Sequence, residues 1–326
     1  LTLIHVSVII REMNQHKQIK VSDDFNFKMP PPNCMKRGEE DYKLICKALR
    51  SRAFKHPVTK DWSELTEHGV NTIYDRGWFK FGGLLNDHID LIDSIQSRME
   101  EYLDKGGEHC IYHSSNSNLP QGDINDQELY MSVKQPLVRV PEIAKVIFNK
   151  HILEIVKCFF KCVPAVGTLN LRRSFANDLK PDQTNLYHCD SNSPLLLKLF
   201  FYLNDVDKVE DGPFNYVEGS AFDLPSRWRE SVRVPDEGIL AAYSEDRIKD
   251  LTAKKGDVLA AMTTGYHKGQ KVRSKDRSML TLNFVVAPED WDTRLQFDIS
   301  ENAVTMAKDQ INAGNICLLD FLNVVQ

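Results

Sequence analysis

Leu195-Leu196-Leu197-Lys198-Leu199-Phe200-Phe201-Tyr202-Leu203 is a dense apolar run interrupted by a single lysine. Its length and its aromatic content predict a buried strand. The same texture extends on both sides. Upstream, Val166 to Phe175 alternates. Downstream, Asp211-Gly212-Pro213 reads as a turn and Phe214 to Val217 as the strand after it. Ile239 to Tyr243, Val258 to Met262 and Met279 to Val286 are expected to complete the series. Short strands punctuated by Gly, Pro and Asp suggest a β-sandwich or jelly roll rather than a doubly wound sheet.

The N-terminal side has helical spacing. Glu39 to Arg50 is a predicted helix, and Asp87 to Leu103 carries Ile89, Leu91, Ile92, Ile95, Met99 and Leu103 on one face. Pro141 suits the first turn of another helix, with Ile143, Val146, Ile147, Ile152, Ile155 and Val156 following before Pro164. Val70 to Tyr74 reads as a short strand. Glu301 to Phe321 returns to helical spacing, interrupted at Gly314. The class is therefore α+β with a mainly β core, helices bracing one face of a closed antiparallel sheet. Residues 1–60, with the stiff Met29-Pro30-Pro31-Pro32, are expected to form an extension on the core. Residues 61–326 are expected to form one domain that includes the C-terminal helix.

Bulk properties narrow the function classes. The 326 residues are 42% hydrophobic and 27% charged, as in ordinary globular proteins. A net charge of −5 argues against a general nucleic-acid binder. Seven cysteines without a paired pattern favour free thiols and a reducing compartment. The apolar start Leu3 to Ile10 falls short of the ~20 residues of a membrane span and lacks the flanks of a signal peptide. No membrane partner is expected, and cytoplasm is the expected location. Oligomeric state is not legible.

Chemistry concentrates after the first predicted strand of the C-terminal half. His188-Cys189-Asp190 lies at a strand end, where residues i and i+2 share a face and can converge on one ion. His88-Ile89-Asp90 has the same spelling, but on a helix residues two apart diverge. His267, in Gly265-Tyr266-His267-Lys268-Gly269, supplies a third ligand. His188, Asp190 and His267 thus read as a 2-His-1-carboxylate facial triad for non-haem Fe(II), with open positions for O2. Arg277 opens the strand that continues through Met279, Thr281 and Asn283. A buried guanidinium there matches the distal carboxylate of 2-oxoglutarate bidentately. Arg273 competes for that role but lies in a charge run, where solvent is its expected partner. Lys198, on one face with Phe200 and Tyr202, needs a partner if buried, and a carboxylate of the cosubstrate or substrate would serve. Asn170 and Arg172 share a face of the preceding strand, and Arg173 points the other way. Arg172, Tyr202 and Asn283 are the candidate substrate contacts.

Tyr187-His188-Cys189-Asp190, Leu197 to Val206, Asp211-Gly212-Pro213-Phe214, Val217-Glu218-Gly219-Ser220, His267-Lys268-Gly269 and Arg277 together resemble the phytanoyl-CoA dioxygenase family over residues 62–290. The resemblance implies a double-stranded β-helix with helices outside. It implies Fe(II) on His188, Asp190 and His267, and 2-oxoglutarate held by Arg277, with Asn170 and Phe200 lining its pocket. Ala221 stands where the family commonly has histidine, and Cys189 where glutamine or arginine is usual. The expected reaction oxidises an unactivated C–H of a small, carboxylated metabolite, in biosynthesis, releasing succinate and CO2. Hydroxylation is the default outcome, with desaturation and ring closure as variants. Asp190 fills the third ligand position, which disfavours halogenation. The alternatives are a non-catalytic β-helix module that senses a ligand, and a redox-neutral metalloenzyme of the same shape.

Overall fold

The protein was analysed as a computed structural model that describes residues 39–55, 58, 61–114, 128–178, 183–190, 193, 195–224, 233–286 and 298–314. Two antiparallel sheets face each other. The larger contains β1 (Trp78–Phe81), β2 (Cys110–Ser114), β3 (Glu128–Val133), β4 (Ala165–Ser174), β5 (Leu196–Tyr202), β8 (Val258–Ala261) and β10 (Arg277–Val285). Their spatial order is β1-β8-β5-β10-β4-β3-β2. The smaller has β6 (Phe214–Val217) between β7 (Ile248–Leu251) and β9 (His267–Gly269). Isolated bridges from His188 to His267 and from Tyr187 to Val234 extend it past β9.

Register explains why both faces of the large sheet are specified. In β5, Leu197, Leu199 and Phe201 join Leu171 of β4 and Leu280, Leu282 and Phe284 of β10 in the outer core. The alternate residues Lys198, Phe200 and Tyr202 face the small sheet, because side chains alternate across a strand. On that inner face the register lines up three rows: Arg172–Met279–Tyr202, Asn170–Thr281–Phe200 and Thr168–Asn283–Lys198. Phe200, Tyr202, Leu259 and Met279 pack there against Phe214 and Tyr216 of the small sheet. The strand predicted over residues 195–203 is thus buried on both faces, which is why it reads as a continuous apolar run.

Helices cover the outer face. They are α1 (Glu39–Lys55), α2 (Glu64–Arg76), α3 (Ile89–Lys105), α4 (Pro136–Arg139), α5 (Ile143–Ile147), α6 (Lys150–Phe160) and α8 (Glu301–Gly314). Ile45 and Leu49 of α1, Ile92, Ile95 and Met99 of α3 and Ala303 and Val304 of α8 enter the same core as Leu199 and Phe201. Residues 1–38, including the Pro30-Pro31-Pro32 stretch, lie outside the described residues, as do residues 315–326.

Two predicted strands are not strands, one falling in a helix and the other at a short helix's end and the turn after it. Val70 to Tyr74 lies in α2, whose start is capped by Ser63 accepting from Thr66 N and whose end is Gly77 at φ +95°. Val70, Ile73 and Tyr74 are buried at helical spacing, so the β-branched run misled. Ile239 lies in α7 (Asp236–Leu240), which Pro235 precedes and Asp236 and Glu237 open. The single helix expected after Pro141 is two, α5 and α6, separated at Phe148–Asn149, where the Asn149 side chain caps His151 N.

Candidate metal centre

His188 and His267 are bonded to each other through their backbones: His188 N donates to His267 O at 2.9 Å and His267 N to His188 O at 3.0 Å. Directly paired residues in an antiparallel ladder point to the same side. The two imidazoles therefore lie together on the inner face, with ring centroids 4.3 Å apart. Asp190, two residues on, returns to that face, and its N donates to Thr263 O at 2.7 Å. Asp190 Oδ1 is 3.9 Å from His188 Nε2 and 3.8 Å from His267 Nε2. One donor atom from each of the three lies within 4.8 Å of the others. Among the described residues, the sequence-predicted triad converges.

The hydrogen bonds behind the three donors fix their state. His188 Nδ1 is 2.9 Å from Leu186 O, and His267 Nδ1 is 2.9 Å from Gly265 O. A carbonyl can only accept, so Nδ1 carries the proton and Nε2 keeps a free lone pair aimed at Asp190. Burial keeps both imidazoles neutral. It lowers His267 to about 4, and it lowers His188 further with help from the neighbouring His267. Burial alone would raise the Asp190 carboxyl, but Lys198 and the two imidazoles outweigh it and hold the group well below the usual carboxylate range. Two neutral nitrogens and one anionic oxygen converging from one side fit a divalent iron facially, with the opposite side left to other ligands.

Lys198 is on the inner face, as the alternation predicts, and its Nζ donates to Asp190 Oδ2 at 2.6 Å. One carboxylate oxygen is thereby tied back while the other faces the histidines. Arg277 is buried, 4% exposed, at the start of β10. Its Nη1 donates to Gly212 O and its Nη2 to Ser174 Oγ at 3.3 Å, while Nε is buried without a partner among the described residues. Burial and the nearby Arg172 lower its pKa to about 10, so it stays charged at neutral pH. Arg273 is exposed. Arg173 points outward, 3.9 Å from Asp104 and 3.8 Å from Asp276.

Asn170 accepts from Ser132 Oγ at 3.2 Å. The ring of Phe200 is 4.3 Å from Phe214, which is 5.4 Å from His267. Tyr202 Oη accepts from Phe214 N at 3.1 Å, and the Asn283 Oδ1 is buried without a partner among the described residues. Sequence reasoning missed Phe214, Tyr130, Ser132 and Ser174. Ser174 ends β4, and Tyr130 and Ser132 lie on β3 beside it, a strand that gave no clear periodic signal. A cavity of ≈540 Å³ lined by Lys268, Asp236 and Asn185 lies behind the small sheet, because Lys268 points away from His267 to pair with Asp236 at 2.7 Å. It does not contain the three donors.

No family model and no curated protein matches the sequence. Solved structures do match. The non-haem α-ketoglutarate-dependent carbocyclase SnoK from nogalamycin biosynthesis is 19% identical over 70% of this chain and 86% of that one, with a TM-score of 0.53. The epimerase SnoN, in complex with Fe3+, α-ketoglutarate and nogalamycin RO, is 15% identical over 68% and 83%, with a TM-score of 0.50. The chain shares their fold. That fold is the double-stranded β-helix that the family resemblance implied, in keeping with the jelly roll read from the strand pattern, with the helices packed outside.

Proposed function

We propose that this chain is an Fe(II)- and 2-oxoglutarate-dependent oxygenase of the phytanoyl-CoA dioxygenase type. It oxidises a C–H bond of a small, carboxylated metabolite and releases succinate and CO2. The observation that carries the reading is the convergence of His188, Asp190 and His267 in a barrel whose inner face also holds Arg277, which has no ion-pair partner among the described residues. A buried cation without an anion is costly by several kcal/mol, so the site calls for a carboxylate ligand.

His188 and His267 would hold the metal through Nε2, and Asp190 through Oδ1. Bound there, iron supplies the O2 and one-electron chemistry that side chains cannot. The chain's own work is orientation. Lys198 fixes the Asp190 carboxylate, and the Leu186 and Gly265 carbonyls fix the imidazoles. Arg277 is the clamp for the distal carboxylate of 2-oxoglutarate, its fork held in place by Gly212 O and Ser174 Oγ. Asn170 and Phe200 are proposed to line that pocket. Tyr202 and Asn283 are proposed to meet substrate. Phe200, Phe214 and Met279 exclude water from between the sheets.

The test is succinate formation from 2-oxoglutarate with Fe(II) and O2, across a panel of carboxylated metabolites, with mass analysis of each substrate. Succinate release that is lost in the His267→Ala protein is expected. No release, coupled or uncoupled, would instead favour a ligand-sensing module. Turnover without O2 would favour redox-neutral metal chemistry.

A further inference from the structure

The inner face carries a second, half-buried guanidinium that neither the metal nor the cosubstrate clamp uses. Arg172 stands in the row Arg172–Met279–Tyr202, diagonal to Arg277, whose row partner on β4 is Ser174. It makes no ion pair among the described residues, and Asp190 acts on it only at longer range. Its Nε is buried without a hydrogen-bond partner among the described residues. Its guanidinium carbon lies 4.9 Å over the Tyr130 ring, which is drawn from the next strand of the same face. His113, across from Tyr130 on β2, stacks on that ring with centroids 4.0 Å apart. The platform pulls Arg172 toward β3, away from the β10 edge where Arg277 binds Gly212.

Charge then decides the ligand. A divalent metal and a dianionic 2-oxoacid would leave the interior net positive, since Asp190 is offset by Lys198 while neither Arg172 nor Arg277 has an ion-pair partner among the described residues. The cosubstrate has one distal carboxylate, and Arg277 takes it. Arg172 offers a planar edge with parallel donors, which fits a second carboxylate.

We propose that Arg172, seated on Tyr130, is the receptor for a carboxylate of the substrate, separate from the cosubstrate clamp at Arg277. The assignment rests on the functional reading above and deepens it. Tyr130 is a positioning residue: it holds the cation by its ring face and limits how many rotamers the side chain must lose on binding. The remainder of the substrate lies against Phe200, Met279 and Tyr202, which are apolar in this stretch.

The experiment uses the full chain loaded with Ni(II) and 2-oxoglutarate, which does not turn over. Hexanoate, 4-phenylbutyrate and N-acetyl-leucine are titrated calorimetrically against their neutral primary amides. At least one acid is expected to bind at least about tenfold more tightly than its amide, the low end of what a charged hydrogen-bonded pair contributes. Arg172→Met should abolish that preference while its 2-oxoglutarate affinity stays within about threefold of wild type, and Tyr130→Leu should weaken acid binding several-fold. Equal binding of every acid and amide overturns the proposal. So does a preference that survives in Arg172→Met, or a loss of 2-oxoglutarate there as large as in Arg277→Met. Should the methionine variant fail to fold, Arg172→Lys replaces it; unchanged acid binding in that protein would count equally against the proposal. Failure of wild type to bind 2-oxoglutarate would sink the functional reading instead. The acid and amide series on the Ni(II) protein alone then still decides the role of Arg172.

Discussion

Replacing Lys198 by methionine isolates the interaction that orients the metal-binding carboxylate. The pair is 2.6 Å long and each side chain is 17% exposed, so solvent screens it only partly. Removing one partner of a buried pair costs about 3–5 kcal/mol, because the other charge stays buried. Partial exposure and the two imidazoles 3.8 and 3.9 Å from the other oxygen reduce that to about 2–4 kcal/mol. At about 2–4 °C of Tm per kcal/mol this gives a fall of roughly 4–16 °C. The assay is urea and thermal unfolding of metal-free wild type, Lys198→Met, Asp190→Asn and the double variant at pH 7.5. The double variant should recover most of the loss, giving a coupling of about 2 kcal/mol or more. A Lys198→Met protein within about 0.5 kcal/mol of wild type would refute the reasoning. If 2-oxoglutarate affinity fell at the same time, Lys198 would be a cosubstrate contact rather than the anchor of Asp190.

Arg277→Met should weaken 2-oxoglutarate binding by about 30-fold or more, measured calorimetrically, while leaving the ligand-free protein as stable or more stable, since an unpaired buried charge is removed; equal affinity would place the clamp elsewhere. Metal-free protein should lose stability between about pH 6.5 and pH 4. His267 stays neutral when folded down to about 4, whereas an unfolded histidine protonates near 6.5, so protons favour the unfolded chain throughout that window. His267 alone accounts for a loss on the order of 3 kcal/mol and His188 adds to it in the same direction, so the unfolding profile should become shallower in His267→Gln; a flat wild-type profile would contradict the buried neutral imidazoles. Gly265→Ala should cost about 2–3 kcal/mol, because a Cβ there would lie 2.3 Å from Tyr216 Oη and 2.8 Å from the Ala221 backbone nitrogen. It should also weaken Ni(II) binding, since Gly265 O orients His267; unchanged stability and affinity would show that the loop yields freely.

The large sheet was legible where both faces are buried. Leu195 to Leu203 and Met279 to Val286 announce themselves because neither side of those strands meets water. The triad was legible for a different reason. Strand alternation brings His188 and Asp190 to one face, and the same rule separates them from His88 and Asp90, which flank the start of a helix. Short edge strands were not readable. Trp78 to Phe81 and Ile248 to Leu251 hold four residues each, too few to display a period. Local propensity failed at Val70 to Tyr74, where β-branched residues lie in a capped helix whose buried face is set by tertiary packing. Partners across the sheet were beyond reach as well. Nothing near Arg172 in sequence points to Tyr130, and nothing near Lys198 marks Asp190 as its counter-charge rather than a ligand carboxylate.

The backbone bridge between His188 and His267 has a kinetic consequence. The two residues are about eighty positions apart in the chain and become neighbours only when the ends of the small sheet close. A collapsed intermediate with intact helices and a half-formed large sheet would offer Asp190 and His188 but no third donor. High-affinity metal capture should therefore be a late event in refolding, trailing the far-UV signal, and its rate should report ring closure of the barrel rather than hydrophobic collapse.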